Sequence, residues 1–336
     1  MRREYRFLET RTEDLGDRPI AYVDTTGADH AHAGRWIQLS HWYPNETPPE
    51  YRADTSTEIA LRFAIKNPDH DYLPVNDHAD TDGVLSLFAL AHPELAAEHF
   101  DAVVGAAEVG DFGFWSTDGA RRLYAALSEV RATEYPSQSA RVDACLDRVE
   151  ATLDGTLPLT PAGRDIEAVF AASADLVDAS ERVELAPRLA AYRLADDRQL
   201  AAIDATPRFD EHPKLAWISH RARNRVDRER LQLVSVPSRG GWHHSLWYPQ
   251  YLPWDTETLW RLPGLEFTGA NLTWRCVDEA LLGAVEALAG TDAAGRWAVA
   301  DAVAPFAPGF PVLVEGRDSA LSPDRVGAKF AEVLPS

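Results

Sequence analysis

Residues 72–90 read Tyr-Leu-Pro-Val-Asn-Asp-His-Ala-Asp-Thr-Asp-Gly-Val-Leu-Ser-Leu-Phe-Ala-Leu. The beginning of this stretch is typical of a short strand and its end of a buried helix. In the acidic turn between them, His78, Asp80 and Asp82 occupy alternate positions. Because alternate side chains of an extended backbone lie on the same side, an imidazole and two carboxylates can converge on one cation. The stretch therefore predicts a strand, a metal-binding turn and a helix, and a solvated turn that only caps the helix is the alternative.

The neighbouring sequence continues this alternation. Arg35–Trp42 is typical of a buried strand, and a helix is expected to begin near Asp54 or Thr55, either of which can cap it. Ala102–Ala107 is interpreted as a short apolar strand. Strands that alternate with helices predict an α/β fold with a mainly parallel sheet flanked by helices.

Ligands of such sheets bind outside the carboxyl ends of the strands. His41 lies at the end of one predicted strand, the segment His78–Asp82 follows the second, and Glu108 and Asp111 follow the third. We therefore expect these side chains to face one crevice.

The remainder of the chain predicts a central helical insertion. Helical spacing recurs in Arg121–Arg131, Ala140–Leu153, Pro161–Val183, Pro187–Ile203 and Leu215–Arg225. Later strands are predicted at Leu231–Val236 and Pro311–Glu315, and later helices at Trp274–Leu288 and Pro323–Val333. The predicted organisation is an α/β portion at 1–117, a helical insertion or cap at 118–228 and a carboxyl-terminal α/β portion at 229–336.

The composition is that of a large globular protein. The 336 residues are 45% hydrophobic and 26% charged, which is enough for a sizeable core. The formal net charge of −20 disfavours long nucleic acid as a partner, because its phosphate backbone would be repelled. A local basic pocket can still hold a small phosphorylated substrate.

Targeting and redox features indicate a cytoplasmic protein. The amino-terminal residues Met-Arg-Arg-Glu-Tyr are too charged for a signal peptide, and no apolar stretch approaches the ~18–20 residues of a membrane helix. Cys145 and Cys276 are far apart, which gives neither a metal knuckle nor a disulfide framework. We interpret both as reduced core residues, and we expect no membrane partner.

The acidic turn resembles the first motif of the DHH (Asp-His-His) phosphoesterase superfamily, a His-x-Asp-x-Asp-Gly element that binds manganese-type ions. His78, Asp80, Asp82 and Gly83 match this element, and Ser86 stands at the position of the family's small helical residue. The resemblance implies a metal-dependent hydrolase, a phosphoesterase that holds one or two Mn²⁺ or Mg²⁺ ions, with Asp82 as the bridge. Its substrate would be a small phosphate ester, a nucleotide or a short oligonucleotide.

The same resemblance implies roles for later residues. In this superfamily an aspartate after a later strand supplies a further metal ligand, and Asp111 has that position; Glu108 is an alternative ligand or a general base. The adjacent His243 and His244 are similar to the Asp-His-His motif and would act in catalysis. Trp242 stands where the superfamily has Asp.

Three residues are expected to contact the substrate. Arg239, followed by Gly240 and Gly241, can form an anion-binding nest with a guanidinium fork. His41 and Ser86 are the other two. An aromatic surface loop is the alternative for the region of Arg239, and a buried core position is the alternative for His41.

Two further clusters have structural alternatives. The aromatic residues between Trp242 and Trp260 either stack on a base or sugar or pack an irregular loop. The arginine-rich stretch Arg221–Arg230 is interpreted as a solvated face with salt bridges, and an anion-steering rim is the alternative.

The chain also resembles a bacterial family of unknown function. Ser40–Trp42, Asp54–Ile59 and His78–Gly83 occur in the order found in that family. This resemblance covers most of the chain and implies no activity.

Three functional hypotheses follow. The first is the phosphoesterase. The second uses the same ligands for a hydrolase of C–N bonds or for an iron redox site in small-molecule metabolism, and tight iron binding would distinguish it. The third is a non-catalytic relic of the superfamily, which the missing Asp before His243 favours. The sequence is compatible with a homodimer.

Overall fold

The structure is a computed structural model that describes residues 3–10, 13–27, 34–193, 220–238, 241–249, 254–267, 274–276, 278–299 and 312–334. The chain forms two compact units. The first comprises Met1–Glu167 with Trp254–Leu259, and the second comprises Ala168–Pro253 with Trp260–Ser336. This division differs from the three-part organisation predicted from the sequence.

Four strands in the described part of the first unit form a parallel sheet. They are β1 (Arg6–Phe7), β2 (Ile20–Val23), β3 (Trp36–Leu39) and β4 (Leu73–Asn76), in the order β1–β4–β2–β3. Every pairing in this sheet is parallel. β2 and β4 are buried along their whole length, as expected for strands covered by helices on both faces. The predicted α/β class with a parallel sheet is confirmed.

Helices flank this sheet. Those that lie wholly in the first unit are α1 (Ser56–Lys66), α2 (Thr81–Ala91), α3 (Pro93–Glu98), α4 (Phe100–Asp111), α5 (Asp118–Arg131) and α6 (Gln138–Leu153); the next helix, α7 (Pro161–Ala179), begins in the first unit and ends in the second. Every residue of α2 is buried, because the helix packs against α1, α4 and α6. A helix that is apolar on all sides is the kind that occupies a core. The helices predicted as the start of an insertion, α5 and α6, therefore belong to the first unit.

The predicted strand Ala102–Ala107 is wrong, because these residues lie within α4. A short apolar run has no period that separates a buried strand from a buried helix. Gly105 and Gly110 allow a close approach here: a Cβ on Gly110 would lie 2.8 Å from the Cβ of Thr81. The consequence is that Asp111 stands at the carboxyl end of a helix that touches the start of α2.

The second unit contains a six-stranded mixed sheet in its described part. The strands are β5 (Glu181–Ala186), β6 (Leu189–Arg193), β7 (Leu231–Ser238), β8 (Gly241–Trp247), β11 (Arg296–Val299) and β12 (Val312–Ser319), in the order β11–β12–β8–β7–β6–β5. β6 pairs with β7 in parallel, and the other pairs are antiparallel. A separate antiparallel pair is formed by β9 (Leu265–Phe267) and β10 (Trp274–Cys276). The helices are α8 (His220–Asp227), α9 (Glu279–Thr291) and α10 (Pro323–Val333).

The secondary structure predicted for this unit is right in part. The strand at 231–236, the strand at 311–315 and the helix at 323–333 are confirmed within the described residues. The helix predicted at Pro187–Ile203 is wrong over Leu189–Arg193, which pairs with β7; residues 194–203 lie outside the described part. Pairing with a neighbouring strand overrides the helical preference of an alanine-rich segment.

Two smaller expectations concern membranes and thiols. Within the described ranges, every helix is too short or too polar to cross a lipid bilayer. Cys145 is a free, buried thiol, as predicted. Burial raises its pKa to about 11, so this cysteine stays protonated and inert. The side chain of Cys276 lies outside the described part.

Candidate metal centre

The carboxyl ends of β2, β3 and β4 bring polar side chains to one edge of the parallel sheet. Asp24 follows β2, His41 follows β3, and His78 with Asp80 follows β4. Asp24 has a left-handed backbone conformation with φ 51°, which aspartate tolerates better than most residues. Such strained positions are frequent at functional sites.

His41 is fully buried, and its two ring nitrogens have opposite surroundings. Nδ1 lies 2.5 Å from the carbonyl oxygen of Asp54, which can only accept, so Nδ1 carries a proton. Nε2 makes no hydrogen bond within the described residues. Three carboxylate oxygens surround it, from Asp111 at 3.3 Å, Asp82 at 3.5 Å and Asp24 at 3.6 Å. The lone pair of a neutral imidazole would face three anions, so this arrangement requires a proton or a cation.

His78 forms a second cluster beside the first. Its Nε2 lies 2.8 Å from Oδ2 of Asp24 and 3.4 Å from Oδ2 of Asp80. Its Nδ1 lies 3.3 Å from Oδ1 of Asp77. A histidine that binds metal through one nitrogen is usually oriented by a carboxylate or carbonyl at the other, and both His41 and His78 have this arrangement.

In the described part of the chain, two groups of side chains have the spacing of metal ligands, and both include Asp24. One group is Asp24, His41 and Asp82, and the other is Asp24, His78 and Asp80; within each group the ligand atoms lie within 4.8 Å of one another. Oδ1 of Asp24 is near His41 and Oδ2 is near His78. Asp24 is therefore the residue common to both groups, whereas Asp82, the predicted bridge, belongs to one of them.

The remaining oxygens of the site are held by helix amino termini. Asp82 accepts from the backbone N–H of Ser56 and of Thr57, each at 2.8 Å, and from the Thr57 hydroxyl at 2.5 Å. Asp82 thus neutralises the first turn of α1. Asp80 caps α2 by accepting from the N–H of Gly83 at 2.8 Å. A Cβ at Gly83 would approach the carbonyl oxygen of His78 to 2.8 Å, so only glycine fits this turn without movement.

The structure also decides which of the two expected residues, Asp54 or Thr55, caps α1. Thr55, not Asp54, caps this helix, since its side chain accepts from the N–H of Glu58. Asp54 instead accepts from the backbone N–H of Glu257 at 2.6 Å and of Thr258 at 2.8 Å. It thereby attaches the segment Trp254–Leu259 to the first unit.

Burial and the neighbouring charges shift the pKa values of the carboxyl groups at this site. Burial raises the pKa of Asp24 to about 7, and the Asp82 and Asp80 carboxylates add to this increase. Burial and Asp82 also raise the pKa of Asp111 well above its usual range. Burial opposes ionisation of Asp80 too, but the neighbouring His78 and the Gly83 N–H lower its pKa to about 2. The site holds more negative charge than its side chains can neutralise, unless protons or cations are added.

The nearby carboxylates also raise the pKa values of the two histidines. Burial by itself lowers the pKa of His41, but Asp111, Asp82 and Asp24 outweigh it and raise this pKa to about 9. For His78, Asp80 and Asp24 outweigh burial in the same way, and its pKa lies well above the usual value. With a pKa of about 9, His41 is protonated at neutral pH in the absence of a cation.

The other residues predicted for the first unit have different surroundings. Ser86 is fully buried between α1 and α2, with its hydroxyl 3.5 Å from that of Thr57, where it packs the two helices against each other. Glu108 is half-buried on α4 and belongs to neither group of metal-competent side chains in the described residues. His41 was expected to contact substrate, and it lies among the carboxylates instead.

His243 and His244 lie on β8 of the second unit, within a strand rather than the predicted loop. His244 is buried, with Nδ1 2.8 Å from the Ser235 hydroxyl and Nε2 3.2 Å from the Leu321 carbonyl oxygen. Burial lowers its pKa to about 4, so it is neutral. These contacts explain His244 as a structural residue. Arg239 lies outside the described residues.

Three contacts at the site are not apparent from local sequence motifs. Trp254 stacks on His41, with ring centroids 4.7 Å apart, and Trp42 donates from Nε1 to Oδ1 of Asp24 at 2.9 Å. The guanidinium of Arg131, on α5, donates to the Thr81 hydroxyl at 2.9 Å. Its charge contributes to the lowered pKa of Asp80. An arginine that arrives from a distant helix has no spacing signal relative to the acidic turn.

Residues 10–195 match the sequence model of a family of unknown function, DUF6687. The chain belongs to this family. All six side chains of the site, from Asp24 to Asp111, lie in the matched range, and the predicted membership of an uncharacterised family is confirmed. DUF6687 has no assigned activity, and a comparison with curated proteins found no match. The DHH resemblance therefore stays a prediction for this member of DUF6687.

Proposed function

We propose that this protein is a metal-dependent hydrolase that acts on small phosphate esters. Asp24, His41 and Asp82, with Asp111 beside them, would hold one divalent ion, and Asp24, His78 and Asp80 a second. Hard carboxylate oxygens and imidazole nitrogens favour Mn²⁺ or Mg²⁺. When bound, such ions polarise a phosphoryl oxygen and lower the pKa of water.

The observation that carries this proposal is the shared carboxylate of Asp24. Its two oxygens serve two different histidine-aspartate pairs, which is the arrangement of a bridging ligand in a two-ion site. The orphaned Nε2 of His41 supports the same conclusion, because a cation would satisfy it and the carboxylates around it together.

The chain's own groups would keep these ligands rigid. The Asp54 carbonyl oxygen fixes the His41 tautomer through Nδ1, and the α1 amino terminus fixes Asp82. Trp254 covers one face of the His41 ring and keeps bulk water from it. Water exclusion strengthens the electrostatic interactions inside such a site.

Arg131 supports an anionic substrate. Its guanidinium is half-buried beside Asp80, and it makes no ion pair with any residue in the described ranges. A guanidinium with unused donors next to a cation site is suited to hold a non-bridging phosphate oxygen. In this proposal Arg131 has the phosphate-binding role that the sequence suggested for Arg239.

The test is metal analysis followed by a hydrolysis screen. Protein purified without chelators is expected to hold about one or two equivalents of Mn²⁺ or Mg²⁺. After EDTA treatment and reloading, it should hydrolyse p-nitrophenyl phosphate or bis(p-nitrophenyl) phosphate, and EDTA should remove this activity. p-Nitroanilides serve as the C–N control substrates. Tightly bound iron, or hydrolysis of anilides alone, would contradict the phosphoesterase, and failure to bind any of these metals would leave a non-catalytic protein.

Substitution of Arg131 should separate binding of the phosphate from binding of the metal. Arg131→Met is expected to raise KM for a phosphate ester by about tenfold or more, because a charged hydrogen bond is worth about 1.5–3 kcal/mol. Metal content should not change. The exposed Arg122, on the same helix, provides the control variant Arg122→Met. Equal KM values for the two variants would exclude Arg131 from the substrate site.

A further inference from the structure

Arg223 in the second unit is a buried charge that forms no ion pair with any residue in the described part of the chain. It lies on α8 and is 0% exposed, although the sequence suggested a solvated arginine face. Its Nη1 and Nη2 form no hydrogen bond to any residue that the structure describes. Burial lowers the pKa of Arg223 to about 9, which leaves the guanidinium charged at neutral pH. An isolated charge inside a protein is strongly unfavourable unless an anion pairs with it.

The guanidinium is nevertheless held firmly on one face of the sheet. Its Nε donates to Oε1 of Gln232 at 2.7 Å, and its Cζ lies 4.8 Å from the centre of the Trp247 ring. Gln232 and Trp247 are opposite each other across β7 and β8. The Gln232 amide is fixed in turn, since its Nε2 donates to the Asn224 side chain at 2.8 Å. These contacts orient Arg223 through Nε and leave its two terminal nitrogens as donors.

The neighbouring acidic side chains already form ion pairs with other arginines. Asp227 accepts from Arg182 at 2.6 and 2.7 Å, from Arg230 at 3.0 Å and from the Tyr192 hydroxyl. These four bonds use all the lone-pair positions of a carboxylate. Glu184 lies 3.2 Å from Arg230 and 3.8 Å from Arg182. Among the described residues, these two acids balance two arginines, which leaves the charge of Arg223 without an ion-pair partner there.

We propose that Arg223 is the anchor of a second ligand site, which binds the carboxylate group of a small molecule. A carboxylate supplies the single negative charge that is missing, and its two oxygens match two parallel N–H donors of a guanidinium. Trp247 and Tyr192 supply aromatic surface beside the anchor. This site lies in the second unit and does not depend on the proposed metal centre.

The experiment measures thermal unfolding of the full chain in a concentration series of sodium acetate, with chloride keeping the ionic strength constant. Acetate is expected to raise the unfolding temperature of the wild type to a plateau, as ligand binding to the native state requires. Arg223→Met should lose this response, and in chloride it should be at least as stable as the wild type, because an unpaired buried charge is removed. Arg296→Met, which removes a largely exposed arginine of the same unit, is the matched control and should respond like the wild type.

Arg223→Lys keeps the charge without the fork and decides the question if the methionine variant does not fold. Its apparent affinity for acetate is expected to be lower than that of the wild type by about tenfold or more. No acetate response in the wild type, or an equal response in the lysine variant, would overturn the proposal. Inorganic phosphate is the contrasting probe: a response to phosphate but not to acetate would overturn the assignment of a carboxylate ligand.

Discussion

Asp24→Asn is expected to remove metal-dependent hydrolysis almost completely, by about 10³-fold or more, since two-ion catalysis depends on the bridging ligand. The substitution replaces one carboxylate oxygen with an NH₂ group, which cannot bind a cation, and Asp24 is the residue common to both groups of ligands. Asparagine tolerates the left-handed conformation at φ 51°, so the backbone should be preserved. Metal content is measured by elemental analysis, and activity with the phosphate ester that the wild type hydrolyses.

The metal-free variant should not be less stable than the metal-free wild type. Asp24 is buried, and burial with neighbouring carboxylates raises its pKa to about 7, so removal of its charge relieves repulsion at pH 8. Loss of activity with equal or greater stability distinguishes a functional carboxylate from a structural one. Asp71→Asn, the same change at an exposed position of the first unit, is the control. If Asp24→Asn retained the metal content of the wild type, the two-ion site would be excluded.

Much of the first unit can be read from its sequence because its signals are local. The acidic turn at His78–Asp82, the strand before it and the helix after it form one continuous stretch. The expectation that His41 and this turn share one edge of the sheet follows from the rule that ligands of parallel sheets bind at the carboxyl ends of the strands. Ala102–Ala107 fails for a physical reason. Its residues are small and apolar on every side, so tertiary contacts with α2 and α5, not periodicity, decide that it is a helix.

The candidate site is harder to predict from the sequence than the fold. Asp24 follows a strand of four buried residues, Ile-Ala-Tyr-Val, which the sequence patterns do not predict. It reaches the site only because β2 lies between β3 and β4. An apolar run that ends in an aspartate is the one signal that could have found it. The burial of Arg223 is equally difficult to predict, because an arginine-rich helix is typical of a solvated face. Whether one of its arginines is buried depends on the sheet against which the helix packs.

Metal affinity is expected to rise steeply with pH, because ions must displace protons from the site. In the metal-free protein the pKa of Asp24 is about 7 and that of His41 is about 9. Each proton released on binding gives about a tenfold increase in apparent affinity per pH unit below the relevant pKa. Titration with Mn²⁺ at several pH values between 6 and 9, with calorimetric measurement of proton release in two buffers, measures this dependence. Affinity that does not change with pH would exclude His41 and Asp24 as ligands.

The stability of the metal-free protein should have the opposite pH dependence. The pKa of His41 is about 9 in the folded state against 6.5 ordinarily, so the stabilisation from its proton is fully present below pH 6.5 and is lost as the pH rises through 9. Asp24 acts in the same direction at lower pH, since the folded protein keeps a proton up to about pH 7 that the unfolded chain has already lost. His41→Gln should abolish the alkaline part of this loss, and His99→Gln, which changes a histidine between α3 and α4, should not. With Mn²⁺ bound, the cation replaces the protons, and the wild type should then keep its unfolding free energy up to pH 9.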